Sequence, residues 1–193
     1  MAKKTTNSKL RSGLTASQGL EFRINSDSAG YSLIGIGTCS DTDLIIPATY
    51  NDLPVTRIAE NALKNCNEIL SVSIPSSIVQ IDAHAFENCS NLKTLSIPES
   101  IVTIGFDAFI GCDNIYDVHI SSLDAWCAID FASPDANPLR YAYGLYLGSN
   151  SEPVDELVIN GSAKKISKYA FYGYVKLTSV GIYEGVTAFV CSR

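Results

Sequence analysis

The residues best suited to chemistry are an acid and a base two positions apart, Asp117 and His119. They flank Val118 in a short apolar–polar alternation, so a β-strand would place both side chains on its outward surface. An acid beside an imidazole can support general acid–base catalysis. No Ser or Cys nucleophile accompanies the pair in a recognisable motif, and neither a phosphate loop nor a nucleophile elbow occurs in the chain. We therefore predict that the protein is not an enzyme and that this pair belongs to a binding surface.

Three cysteines, Cys66, Cys89 and Cys112, recur at a spacing of 23 residues. If that spacing is one turn of a coil, the three lie about one strand spacing apart, which is within disulfide reach of ~4.4–6.8 Å between Cα atoms. Three thiols in a row cannot all pair, however, and a small buried residue would satisfy the same position, so buried free thiols are favoured. The spacing of the remaining cysteines does not match a zinc site. We predict neither a metal nor a cofactor.

The whole segment around these cysteines is repeated at the same spacing. Residues 70–92 and 93–115 share apolar residues at corresponding positions, such as Ile81 with Ile104 and Phe86 with Phe109. A fixed period of this size indicates a solenoid, in which each turn buries its apolar face against its neighbours. The alternating segments of successive turns should stack at ~4.8 Å into a parallel β-sheet, with the two Phe rings stacked inside.

The chain divides into three parts on this pattern. Residues 1–18 form a flexible basic tail, residues 19–43 a β-hairpin that caps the core, and residues 44–193 the repeats. Periodicity fails between residues 121 and 156, and the last repeat, residues 178–193, is cut short. Because an uncapped turn exposes apolar core and a sheet edge, we predict that this end continues into a longer protein or self-associates.

The repeat pattern Leu-x-x-Val-x-Ile-Pro-x-Ser-Ile-x-x-Ile-x-x-x-Ala-Phe-x-x-Cys-x-x-Leu resembles the BspA-type leucine-rich repeat. The resemblance covers about residues 44–193, and the irregular stretch is also similar to variant repeats of that family. It implies a curved, right-handed solenoid, mostly β and turns with short helical segments, that has no catalytic machinery. It also implies a bacterial surface or secreted protein that adheres to host proteins or other cells.

Two surfaces are candidates for contacting a partner. The first is the outward strand face, which includes Ser73, Thr94, Ser96, Asp117 and His119; solenoids commonly bind on this face. The second is the irregular stretch, whose Trp126, Tyr141, Tyr143 and Tyr146 belong to residue types that often anchor interfaces. Trp126 could equally replace a core contact in a distorted turn.

Charge and hydropathy exclude some partners. The net charge is −6, and four of the 14 Lys and Arg residues lie before residue 12, whereas all 20 Asp and Glu residues follow residue 20. An acidic folded body argues against nucleic acid, and no apolar run reaches the ~20 residues of a membrane helix. The sequence therefore predicts a module that binds a protein or a cell-surface glycan. The alternative is a structural spacer, which would tolerate substitution of the three tyrosines.

Overall fold

A computed structural model describes residues 15–159, 165–182, 184, 186 and 188–189. The predicted tail therefore lies outside the described residues, except for residues 15–18. In chain order the elements are β1 (Glu21–Ile24), β2 (Tyr31–Gly35), β3 (Asp43–Ile45), β4 (Thr49–Tyr50), β5 (Leu53–Ile58), β6 (Ser71–Ser73), β7 (Gln80–Ile81), β8 (Thr94–Ile97), β9 (Thr103–Ile104), β10 (Asp117–Ile120), α1 (Leu123–Ala128), β11 (Asp130–Phe131), two 3-10 turns (Pro134–Ala136 and Pro138–Arg140), β12 (Gly144–Leu147), β13 (Glu156–Ile159), β14 (Lys165–Ile166), β15 (Ser179–Ile182) and β16 (Ala188–Phe189).

The first wall of the solenoid is a parallel sheet of five strands in the order β12-β10-β8-β6-β3. Its register follows from the alternation of small polar and apolar residues along each strand. In β8, Leu95 and Ile97 are buried, whereas the intervening Ser96 remains partly exposed. This confirms the predicted parallel sheet of stacked turns.

The second wall contains the strands that re-enter the core on the opposite side. Strands β5, β7, β9 and β11 pair in parallel, and Ile58, Ile81, Ile104 and Phe131 share one register position. All four side chains are buried. A one-residue slip would move these apolar side chains out of the core, so burial on one face fixes the register.

The N-terminal hairpin extends this second wall. Strands β1 and β2 are antiparallel, and β2 pairs in parallel with β5. Leu33 is fully buried, and the Asn25 side chain ties the hairpin turn to the first repeat by donating to Thr56 Oγ1 at 3.0 Å. The predicted β-hairpin cap is confirmed: it covers the start of the core with paired strands.

Turns on one side of the solenoid carry the Ala-Phe pairs and stack on each other. The Phe86 and Phe109 rings are parallel within 7°, with their centres 5.0 Å apart, and both are fully buried. The Phe86 N–H donates to Ala108 O at 2.8 Å, which continues the backbone ladder through the turn. The predicted interior stack of Phe rings is therefore present.

The irregular stretch interrupts the strand ladder. β12 is the last strand of the first wall's five-stranded sheet, and β13 pairs with β15 in a separate two-stranded sheet. Three side chains connect the parts on either side of this break: Trp126 donates to Ala170 O at 2.8 Å, Asn137 donates to Tyr169 O at 2.6 Å, and the Tyr174 hydroxyl accepts from Leu145 N–H at 3.1 Å. We call the interface between the turn that ends in β12 and the turn that begins with β13 the junction.

Beyond the junction the register returns. Lys165 pairs with Ala188 and Ile166 with Phe189, at the same 23-residue spacing. In β15, Val180 and Ile182 are 44% and 46% exposed, although their partners in β13, Leu157 and Ile159, are buried. Self-association at this end stays a prediction, and residues 190–193 lie outside the described part.

Candidate binding surface

The outward positions of the five-stranded sheet form one continuous surface, which we call the strand face. Two rows run across it in register: Asp43, Ser71, Thr94, Asp117 and Gly144, and then Ile45, Ser73, Ser96, His119 and Tyr146. Six of the nine residues predicted to contact a partner thus share one face. They are Ser73, Thr94, Ser96, Asp117, His119 and Tyr146.

Aromatic side chains gather at the β10–β12 end of the strand face. His119 and Tyr146 stack with ring centres 4.8 Å apart and an interplanar angle of 19°. Just before these strands, Tyr116 and Tyr143 stack at the same centre distance and 11°. Tyr116 is 53% exposed and Tyr143 47%. Parallel pairing produces both stacks, because it places equivalent residues of neighbouring strands one strand spacing apart.

Sequence reasoning missed two features of this cluster. Tyr116 occupies the position that Leu70 and Lys93 take in the preceding turns, so the period itself could have placed it beside the strand face. Tyr146 was assigned to the irregular stretch. Its place on the strand face depends on β12 pairing with β10, and the broken periodicity concealed that pairing.

Gly144 makes room for the Tyr146 ring. A Cβ atom at Gly144 would lie 2.7 Å from Cε2 of Tyr146 and 3.1 Å from its hydroxyl. The Tyr146 side chain therefore lies over the place that Asp117 and Thr94 fill with side chains in the neighbouring strands. A residue with no side chain is what allows this ring to lie against the sheet.

The charged groups that act on the His119–Tyr146 stack are carboxylates. Burial raises the pKa of Tyr146 to about 12, helped by the negative charges of Asp117 and Glu152. Burial also lowers the pKa of His119 from 6.5, against an opposing effect of Asp117. At neutral pH the imidazole is therefore uncharged and the phenol keeps its proton, so the carboxylates provide the charge beside the His119–Tyr146 stack.

Trp126 does not lie on the surface. It is only 1% exposed, packs against Phe131 with ring centres 5.2 Å apart, and donates its indole N–H to Ala170 O. This corrects its assignment to the partner surface. The buried position is favourable because the apolar rings leave water while the polar N–H keeps an acceptor.

The other two tyrosines predicted to contact a partner, Tyr141 and Tyr143, lie in different environments. The Tyr141 hydroxyl donates to the Asp135 carboxylate, which also pairs with Arg140 at 2.6 Å, so this half-buried side chain is held on the turn side. It does not belong to the strand face. The Tyr143 ring is exposed beside the strand face, and the Lys176 ammonium lies 4.0 Å from its centre.

The three cysteines that recur every 23 residues are free thiols that pack in or against the core. Cys89 and Cys112 are fully buried, and each donates to a carbonyl oxygen of the preceding turn at 3.0 Å, Leu63 O and Phe86 O respectively. Burial raises the pKa of the partly exposed Cys66 to about 11. A thiol with that pKa is a weak nucleophile at neutral pH.

Other sites are excluded only for the part of the chain that the structure describes. There, no group of three or more His, Cys, Asp or Glu side chains is arranged to hold a metal ion. None of the helices in those ranges has the length and apolarity to cross a membrane. The second wall carries an open groove of about 370 Å³. Its buried Asp82 is already satisfied by Arg57 at 2.5 Å and by Gln80 at 2.8 Å.

These features define a class of protein: a parallel β-solenoid of leucine-rich repeats of about six turns, with an exposed strand face. The family model for the BspA-type leucine-rich-repeat region matches residues 38–126 and 146–190 in six copies. The chain belongs to this family. Leucine-rich repeats generally mediate protein interactions, and their fold is generally a non-enzymatic scaffold.

Solved structures show the same fold. The leucine-rich-repeat protein of T. pallidum is 20% identical with a TM-score of 0.62, over 91% of this chain and 85% of that one. A leucine-rich-repeat protein of Bacteroides ovatus matches with 20% identity and a TM-score of 0.56, over 89% of this chain and 41% of its own. A leucine-rich cell surface protein of Faecalibacterium prausnitzii matches with 20% identity and a TM-score of 0.54, over 91% and 44%. No curated protein matches the sequence significantly.

Proposed function

We propose that this protein is a non-enzymatic binding or adhesion module that contacts a macromolecular partner, in the first place a protein, through the β10–β12 end of its strand face. The observation that carries the proposal is the pair of aromatic stacks there, Tyr116 with Tyr143 and His119 with Tyr146. Exposed tyrosines held rigidly by stacking can anchor a partner at a low cost in conformational entropy.

The surroundings of the stacks favour a broad contact over a deep pocket. The rest of the strand face carries short polar side chains such as Ser73, Thr94 and Ser96. Such residues add hydrogen bonds around an aromatic anchor without blocking the approach of a large surface. A role on a bacterial surface is supported by family membership and by the cell surface protein of F. prausnitzii, which shares the fold.

The test compares the chain with a variant that lacks the exposed anchors. We would measure binding of the labelled protein to a panel of immobilised extracellular-matrix proteins and to intact epithelial cells. Replacing Tyr143 and Tyr146 by Ser should weaken any specific binding at least ~10-fold, the size expected for the loss of hot-spot residues. Tyr172→Ser is the matched control, because Tyr172 is also exposed, at 44%, but lies in the turn after Ala170.

Circular dichroism would establish that each variant remains folded. Unchanged binding by the double variant would refute a role for this end of the strand face. If the wild-type chain also bound nothing on the panel or the cells, the spacer hypothesis would be favoured instead, since a spacer needs only its length and rigidity.

A further inference from the structure

We infer that the β10–β12 end of the strand face, at Tyr146, binds an arginine side chain of a basic protein segment. The inference rests on the proposed function, because it specifies the chemistry of the partner at that same surface. Three independent observations support it: the charge of the face, the groups around Tyr146, and the way this chain packs its own cations on tyrosine rings.

The charged residues at the outward strand positions are all acidic, whereas Lys93 and Lys176 lie beside the strand face next to Tyr116 and Tyr143. Across the outward positions of strands β3, β6, β8, β10, β12, β13 and β15, the charged residues are Asp43, Asp117 and Glu156. None of these described positions holds Lys or Arg. His119 adds no positive charge at neutral pH, because burial lowers its pKa. Such a surface attracts a basic partner and disfavours an acidic one.

The groups around Tyr146 fit the head of an arginine side chain. The Tyr146 ring provides an aromatic surface and lies over Gly144, the register partner of Asp117. The negative charges of Asp117 and Glu152 help to raise the pKa of its phenol. Asp117 is partly exposed, and its buried Oδ1 accepts no hydrogen bond from any described residue, so this carboxylate is not fully satisfied within that part of the chain. A planar guanidinium can pack on the aromatic cluster and donate to a carboxylate at the same time, which an ammonium does less well.

The chain itself packs cations in the same way nearby. The Lys176 ammonium lies 4.0 Å from the centre of the Tyr143 ring, and the Lys168 ammonium lies 4.6 Å from that of Tyr169. In the described part of the chain, no Lys or Arg lies over Tyr146. Lys176 thus packs on the Tyr143 ring, whereas the Tyr146 ring is available to a cation of the partner.

A neutral glycan is the competing occupant, since sugars also pack on aromatic rings. A neutral glycan carries no positive charge, so it could not balance the negative charges of Asp117 and Glu152 when these carboxylates lose water in the interface. Leaving carboxylates desolvated without a cationic partner is costly. The observations therefore favour a basic protein segment over a neutral glycan.

The test uses two peptides that differ only in charge. One is fluorescein-labelled Gly-Ser-Arg-Gly-Arg-Gly-Ser, and in the other citrulline, a neutral isostere, replaces each arginine. Fluorescence anisotropy would give both affinities for the full chain at low salt. The arginine peptide should bind at least ~10-fold more tightly, the order expected for cation–π contacts combined with charged hydrogen bonds.

Charge-neutral variants locate the contact. Asp117→Asn combined with Glu152→Gln should weaken the arginine peptide ~5- to 10-fold without affecting the citrulline peptide. Asp43→Asn is the matched control: it removes a carboxylate from the same face, three strands away from β10, and should change affinity less than ~2-fold. Lys176→Gln should tighten binding ~2- to 3-fold, because it removes a like charge and uncovers the Tyr143 ring.

Equal affinity of the two peptides would overturn the inference, as would equal losses in Asp43→Asn and the double variant. Tighter binding of maltoheptaose than of the arginine peptide, lost on Tyr146→Ser, would assign the site to glycans instead. Each of these results leaves the proposed function standing if Tyr143 and Tyr146 are still required on the matrix panel or on cells. The failure of the inference is thereby distinguished from the failure of that proposal.

Discussion

Replacing Gly144 by Ala should displace the Tyr146 ring without unfolding the sheet. The new Cβ would lie 2.7 Å from Cε2 of Tyr146, closer than non-bonded carbon atoms approach each other. The atoms it meets belong to the far end of a rotatable side chain, so the ring can move away. We therefore expect loss of the stack with His119, whose ring centre now lies 4.8 Å from that of Tyr146.

The expected change in the free energy of unfolding is small because two effects oppose each other. Losing an aromatic pair costs about 0.5–1.5 kcal/mol, while replacing Gly by Ala inside a strand returns about 0.5–1 kcal/mol. The net change should thus stay within about 1 kcal/mol. The larger effect falls on His119: burial, which lowers its pKa, is relieved when the ring moves away, so this pKa should rise toward 6.5.

The assay is a proton NMR titration of the imidazole resonances. The chain has only two histidines, His84 and His119, so a His84→Gln variant assigns them. Gly148→Ala is the control: Gly148 has a φ of 58°, and a Cβ atom added there would meet nothing within 4 Å, so this variant tests backbone strain without touching Tyr146. An unaltered His119 titration in Gly144→Ala would refute the argument that the Tyr146 ring buries the imidazole.

Three further predictions concern stability and burial. Because burial lowers the pKa of His119, the imidazole binds a proton more readily in the unfolded chain than in the folded one. The free energy of unfolding, measured with urea at several pH values, should therefore fall as the pH drops below 6.5. It should fall less in the His119→Gln variant. Phe109→Ala should cost about 3–5 kcal/mol in the same assay, because it empties a fully buried site in the Phe stack, whereas the 56% exposed Phe106 should tolerate Ala. Cys89 and Cys112 should stay unlabelled by iodoacetamide in the native protein and react once it is unfolded in guanidinium chloride, as read by mass spectrometry; native labelling would contradict their burial.

The repeat period was enough to predict the regular part of the fold. Apolar residues at a constant spacing of 23 must bury the same face in each turn, so the parallel sheet and the Phe86–Phe109 stack followed from sequence alone. The hairpin was also predictable, because turn residues separate two short alternating segments. These features depend on local patterns repeated along the chain.

The parts that sequence did not reveal depend on contacts between distant segments. The indole N–H of the buried Trp126 is satisfied by Ala170 O, 44 residues away, and no local pattern indicates that acceptor. Tyr146 belongs to the strand face only because β12 pairs with β10 across an insertion of irregular length. Once periodicity fails, single-sequence reasoning can identify the aromatic residues but cannot decide which of them face solvent.

The junction has a consequence for how the molecule responds to tension. In a repeat array each turn is coupled only to its neighbours, so a load along the axis passes through every interface in series. Between β12 and β13 the described residues form no strand ladder. Among these residues, side-chain bonds of Trp126, Asn137 and Tyr174 and a single backbone bond from Ser167 N–H to Cys127 O take its place. A chain stretched along the axis of the solenoid would therefore yield first at this interface. The Tyr146 end of the strand face, which lies on the last strand before it, would stay attached to the more strongly laddered turns.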